Sequence, residues 1–188
     1  MLSSNHAPFL LYTLYLIILG VAQVASQSLL IDDDDAMFTG VGWVVGCGVC
    51  GSAVEPLDPT RLSAGTLHSA FFNATSSMST QSATIQFDGE KLGNRIDSDA
   101  HFIHVGTRVA VIGVLFTEFP ADYSFYIDNE LSGRFSSSGA GPPRTFLYNR
   151  TFYSNNTLSN TTHVLQVQNG CIGGSSSLLM LDSFSFDM

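Results

Sequence analysis

Several short segments of this chain place apolar and polar residues in alternation, the period of two that gives a strand one buried face. Ala83-Thr-Ile-Gln-Phe87 shows the alternation, whereas Arg108-Val-Ala-Val-Ile-Gly-Val-Leu115 is apolar on both faces, as a strand in the middle of a sheet would be. Tyr123-Ser-Phe-Tyr-Ile127 ends at a polar turn around Asp128-Asn129-Glu130, and further strands are predicted at Leu131–Phe135, Thr145–Tyr148, His163–Gln168 and Leu178–Phe186. The turn pair Asn169-Gly170 closes the His163 strand. No window sustains the i, i+3, i+4, i+7 spacing of an amphipathic helix. Strands at this spacing, joined by Gly, Ser and Pro, predict an all-β fold, a β-sandwich or jelly roll.

The N-terminus is different in texture. The first 26 residues hold no Asp, Glu, Lys or Arg, and Phe9–Ala22 is a 14-residue apolar run broken only by Thr13 and Gly20. That is short of the roughly 20 residues that span a bilayer, and the small residues Val24 and Ser26 suit cleavage before Gln27. Residues 1–26 are therefore read as a signal peptide and 27–188 as a single β-sandwich domain, secreted and cell-wall associated. Because no Lys or Arg precedes the apolar run, a membrane anchor formed by an uncleaved N-terminal segment is the alternative. No transmembrane helix is expected after cleavage, since the later apolar stretch Val109–Phe116 is strand-sized. Four Asn-x-Ser/Thr sequons, at Asn73, Asn149, Asn155 and Asn160, fit the same compartment and are candidate glycosylation sites. Three of them crowd between 149 and 162, which predicts a solvated rim there and a ligand groove elsewhere.

Charge narrows the partners. Only 12% of the 188 residues are charged, with 7 basic against 16 acidic side chains and a net charge of −9. This composition excludes a coiled coil, and it gives no electrostatic footing for holding phosphates, so nucleic acid is not an expected partner. Of the three cysteines, Cys47 and Cys50 form a Cys-Gly-Val-Cys sequence and Cys171 stands far away. The glycines at 46, 48 and 51 mark an irregular loop and not the helix start that a redox pair uses, and zinc lacks two further ligands at the right spacing. A structural disulfide is expected, with the pairing open; a link to Cys171 would stabilise by about 4 kcal/mol, a local Cys47–Cys50 link by less.

Candidate chemistry is sparse. Asp32–Asp35 could supply oxygens to Ca²⁺, but a charge run ahead of the first strand reads as a solvated edge that deters pairing. His101 and His104 form a His-x-x-His pair without a third ligand, so no metal is expected there. His68 could orient a sugar hydroxyl, against the commoner state of a turn histidine bonded to backbone, and Trp43 could stack on a sugar ring, against a place in the core. Asp88, Asp122, Asp128 and Asp182 fall at strand ends or turns, where Asp caps backbone. The motifs of serine hydrolases, zinc proteases and phosphate-binding loops are missing. The chain is accordingly expected to be no enzyme, with no cofactor and no metal.

A resemblance follows from the order of several short motifs. Ile31-Asp-Asp-Asp-Asp35, Trp43, Cys47-x-x-Cys50, Asp58-Pro59 and Gly65-Thr-Leu-His68 come in one sequence, followed by Tyr123–Asn129, His163-Val-Leu165 and Asp182-Ser-Phe184. This order resembles the secreted or membrane-tethered, galactose-binding-like β-sandwich proteins of mushroom-forming basidiomycete fungi. The resemblance implies a galactose-binding-domain-like jelly roll. Leu67 and Ser69 depart from the Trp and Asp of the family's His motif, and the 16 residues Glu90–Val105 have no counterpart in its pattern. That segment holds the only Lys and is read as an extraneous loop, a retained short intron. The functional expectation is thus a secreted, glycosylated, non-catalytic β-sandwich protein that binds cell-wall or surface glycans, with His68 and Trp43 as its ligand-binding residues. The alternative is a structural or adhesive ectodomain without a small ligand, and a hydrolase comes third.

Overall fold

The computed structural model describes residues 28–51, 53–75, 80–88, 104–105, 107–139, 144–170 and 174–187. In chain order the strands are β1 (Ser28–Asp32), β2 (Met37–Thr39), β3 (Trp43–Val45), β4 (His68–Phe72), β5 (Gln81–Asp88), β6 (His104–Val105), β7 (Arg108–Phe116), β8 (Ala121–Ile127), β9 (Glu130–Ser137), β10 (Phe146–Asn155), β11 (Thr162–Asn169) and β12 (Ser177–Asp187). Among the described residues the helical elements are single 3₁₀ turns at Asp33–Asp35, Pro59–Arg61 and Ser63–Gly65.

Two sheets divide these strands. One runs β10-β7-β12-β4-β3 with β1 alongside β12; the other runs β2-β5-β11-β8-β9 with β6 alongside β5. The doubly apolar β7 lies between β10 and β12, as its composition predicted, and Val109, Val111 and Val114 are at most 1% exposed. The faces meet over Phe87, Val111, Phe125, Leu165, Val167, Leu181, Phe184 and Phe186. Burying each such side chain contributes about 1.5–3 kcal/mol. This is the β-sandwich expected from the sequence.

Two turns show how local chemistry sets register. Asp128 and Asn129 have φ of 52° and 70°, so the β8–β9 hairpin closes through a two-residue turn with both central residues left-handed, which Asp and Asn tolerate. Gly170 ends β11 at φ +69°, where a Cβ would run into the Phe72 ring. Beside it, Asn169 Nδ2 donates to Ala70 O at 2.7 Å and to Gln81 Oε1 at 2.9 Å, tying the two sheets together through buried polar groups.

Two sequence expectations change. The strand predicted at Thr145–Tyr148 continues to Asn155, because a bulge between Leu147 and Arg150, with Asn149 at φ 54°, re-aims the chain and lets Phe152 and Tyr153 reach the core. Asn149 and Asn155, two of the sequon residues of the expected rim, are therefore strand residues, the first exposed and the second half-buried. Residues His104–Val105 pair in parallel with Phe87–Asp88, so the end of the segment read as an outward loop joins a sheet. Residues 90–103, residues 1–26, read above as a signal peptide, and Cys171 lie outside the described residues.

Candidate functional site

The corner where β1 meets β4 and β12 gathers the acidic run. At the end of β1 the Asp32 carboxylate accepts from the Asp33 N–H at 2.9 Å and so starts the 3₁₀ turn Asp33–Asp35. That turn drives Asp33 inward until it is fully buried, while Asp34 stays on the surface with 58% of its side chain exposed. The Ser63–Gly65 turn brings Thr66 above it, and the Thr66 hydroxyl lies 2.9 and 3.1 Å from the two Asp32 oxygens. Asp182 on β12 holds that turn in place by accepting the Ser63 N–H at 2.8 Å.

His68, first residue of β4, completes the group. Its Nδ1 lies 2.7 Å from Asp33 Oδ2 and 3.5 Å from Asp34 Oδ1. Its ring stacks on Phe38 at 4.4 Å between centroids, and Phe38 in turn packs on Trp43 at 4.6 Å. Trp43 Nε1 donates to Thr39 O at 3.0 Å, which fixes the indole on the half-buried rim.

Electrostatics decide where the proton sits. Burial, then the hydrogen bond and negative charge of Asp32, push the Asp33 carboxyl up to about 8, against the opposing hydrogen bonds of the His68 backbone N–H and the Thr66 hydroxyl. Burial also raises Asp182, with the Asp32 charge adding to it and the Ser63 N–H opposing it. A carboxyl raised in this way can donate to His68 Nδ1, 2.7 Å away. The donor atoms of Asp33, Asp34 and His68 all fall within 4.8 Å of one another, close enough to hold a cation. The 2.7 Å contact is, however, a hydrogen bond between two of these groups, and the arrangement is that of a proton-sharing pair flanked by an exposed carboxylate.

Two sequence expectations are corrected here. The Asp run is not a solvated edge, because Asp33 is withdrawn into the protein, and His68 bonds a carboxylate and not backbone. His68 and Trp43, the two candidate ligand-binding residues, are brought to one rim through the Phe38 ring between them. Asp33, Asp34 and Phe38 were missed as partners; the signal available was a buried-strand histidine in reach of an acidic run. Elsewhere, Cys47 and Cys50 form a disulfide, packed against Leu67 and its neighbours. Asp128 accepts from His163 Nδ1 at 2.7 Å and from the Val164 N–H at 2.8 Å. Burial pushes Asp128 up, but these two bonds outweigh it and hold the carboxyl below its ordinary range. Asp122 caps no helix but receives Gly170 N–H on its backbone carbonyl.

No family model and no curated protein matches this chain. Among solved structures it is similar to the cycloisomaltooligosaccharide glucanotransferase of Paenibacillus sp., solved with cycloisomaltoheptaose, at TM-score 0.51 and 11% identity over 86% of this chain and 18% of that one. It is also similar to the catalytic domain of an α-1,3-glucanase in complex with nigerose, at TM-score 0.46 and 9% identity over 86% of this chain and 28% of that one. A third is the exo-β-1,3-galactanase of Phanerochaete chrysosporium with β-1,3-galactotriose, at TM-score 0.45 and 10% identity over 86% and 29%. The chain thus spans less than a third of each of these. Among the described residues no helix is long and apolar enough to cross a membrane. The expectation of a non-catalytic protein is contradicted by the solved structure that shares the sandwich at TM-score 0.51, which is a carbohydrate-processing enzyme. What the sequence could not display is the pairing of a buried Asp, Asp33, with His68 across 35 residues. What the likeness establishes is the fold, a two-sheet β-sandwich of the kind found in carbohydrate-active proteins.

Proposed function

We propose that this chain is a secreted glycan-hydrolysing module that acts on glucans, with His68 and Asp34 as the catalytic pair and Asp33 as the positioning residue behind them. The observation that carries this is the 2.7 Å pairing of buried Asp33 with His68 beside the exposed carboxylate of Asp34. In the proposed reaction water attacks the anomeric carbon and gives its proton to Asp34, while the glycosidic oxygen leaves with the proton of His68 Nε2. Nδ1 then takes the proton of Asp33, whose burial has kept it loaded at neutral pH. Phe38 and Trp43 supply the aromatic surface against which a sugar ring packs.

Glucan is favoured as substrate because the sandwich is shared with a glucanotransferase, solved with a cyclic isomaltooligosaccharide. The motif order shared with secreted basidiomycete sandwich proteins favours cell-wall or surface glycans as the setting. Export is supported by the uncharged apolar N-terminal run, the four sequons and the Cys47–Cys50 disulfide, a bond at home in oxidising compartments. The test is reducing-end release from isomaltooligosaccharides and α-1,3-glucan by the purified secreted protein. Release is expected, with Asp34→Asn and His68→Asn each lowering it about 100-fold or more. No release from either polymer by folded protein, or release untouched by both substitutions, would refute the proposal.

A further inference from the structure

The free edges of the two sheets, β9 in one and β10 in the other, come together on the side of the sandwich away from the acidic corner. Tyr153 of β10 seals most of this seam: its ring stacks on Phe125 at 4.8 Å, and its hydroxyl lies 2.6 Å from Ser132 Oγ on β9. Gly133 leaves room for that ring, since a Cβ there would meet it at 2.9 Å. Beyond Tyr153 the seam opens into a cleft of about 430 Å³ lined by Ile127, Asp128, Glu130, Leu131, Ser132 and Asn155. Leu131 is 52% exposed at its mouth.

Asn155 sits at this mouth as the first residue of an Asn-Asn-Thr sequon. Its Oδ1 accepts from the Thr157 N–H at 2.9 Å and from the Thr157 hydroxyl at 3.0 Å, so the carbonyl end of the amide is fully engaged. Its Nδ2 makes only a 3.5 Å contact with Ser132 Oγ, at the outer limit of a hydrogen bond. The side chain is thereby held with its carbonyl turned into the Thr157 turn and its nitrogen toward the cleft.

We infer that Asn155 carries an N-linked glycan that closes this seam and shields the paired sheet edges from a second chain; the inference rests on the export proposed above. In the transfer, Nδ2 attacks C1 of the first sugar of a polyprenyl-diphosphate-linked oligosaccharide. The Nδ2–C1 bond forms, the C1–O bond breaks with its electron pair leaving on the diphosphate, and the amide gives up one proton to a base. The first sugars then lie over Leu131 and the outer edge of β9, which among the described residues pairs with no further strand and so offers a template for strand addition.

The test uses the full chain secreted from a eukaryotic host. Peptide mapping after N-glycanase treatment in heavy-oxygen water should convert residue 155 to labelled Asp. Asn155→Asp keeps an oxygen to accept both Thr157 bonds but cannot be glycosylated, so it separates the glycan from the turn. Both the enzymatic removal and the substitution should speed amide exchange over residues 130–137 in dilute, monomeric protein and, as concentration is raised, shift the protein toward dimers in size-exclusion chromatography. Secreted protein with Asn155 unmodified would overturn the inference while leaving export standing. So would a glycan at Asn155 whose removal changes neither exchange nor oligomeric state. Protein retained in the cell and bearing no glycan would bring down the export reading and this inference together.

Discussion

Replacing Asp33 by Asn asks whether the buried carboxyl is a neutral proton donor or one half of an ion pair. Asn is nearly isosteric, offers an oxygen to the Thr66 hydroxyl and can donate to His68 Nδ1, so it imitates protonated Asp33 and not ionised Asp33. In the folded chain this carboxyl is raised from 3.8 to about 8. A group whose folded pKa is raised binds its proton more tightly in the native state, so its contribution is complete below the unfolded value, near pH 4. It is lost as pH climbs toward 8. Over that interval each unit is worth about 1.4 kcal/mol, a total on the order of 5 kcal/mol against a domain stability of about 5–15.

Urea unfolding at several pH values between 4 and 8 reads this directly as the difference between wild type and Asp33→Asn. The variant should match wild type near pH 4 and overtake it by several kcal/mol near pH 8, because it has no proton to lose. Its hydrolytic rate should fall about 100-fold, since Asn holds His68 but cannot reload it. Should the variant instead be weaker by about 3–5 kcal/mol at neutral pH and wild type lose stability on acidification, Asp33 would be an ionised partner of charged His68. The proton-donor role would then be wrong.

Substitutions at three other positions probe the scaffold. Gly113→Ala places a Cβ against the Met180 carbonyl and the Phe152 ring in the centre of a sheet; because backbone cannot yield cheaply, a loss of about 3 kcal/mol or more is expected in a urea melt. Tyr123→Phe removes the buried hydroxyl that donates to Leu178 O and should cost about 1–3 kcal/mol, while spectrophotometric titration of wild type should show one tyrosine, Tyr123, still protonated beyond the range of an exposed phenol, owing to burial. Asn129→Gly should be neutral or better in thermal melts, whereas Asn129→Val should lower the melting temperature, because φ 70° strains a β-branched residue.

The strands legible in the sequence were those whose alternation mirrors a buried face. β5, β8 and β11 keep Ile85, Phe125 and Val167 inside and polar neighbours out, and the doubly apolar β7 announced its place between two strands. The strands missed fail that rule for physical reasons. β2 and β3 are three residues each, too short for a period to show, and β1 exposes Leu29 and Leu30, so its apolar residues do not mark the core side. β10 was cut short because its polar Asn149-Arg-Thr151 sits on the bulge and outer face, with the core contacts coming only afterwards.

The acidic corner was illegible for a different reason: its meaning depends on contacts made across distance in the chain. Asp33 and His68 are 35 residues apart, and Asp182 reaches Ser63 across 119. Four carboxyls meet there, and like charges so close cannot all ionise. The fold resolves this by giving each a separate task. Asp32 is held by Thr66 and caps the turn, Asp182 anchors the Ser63 loop, Asp34 faces water, and Asp33 is driven inside, where burial raises its carboxyl. The loop is itself under tension, since Ala64 adopts φ 45°. Asp182 thus holds a strained turn whose Thr66 reaches Asp32 and Asp33, and Asp33 in turn bonds His68 Nδ1. The hydrogen bond at the rim is therefore set from a strand in the middle of the sheet, by residues that sit behind the His68 ring.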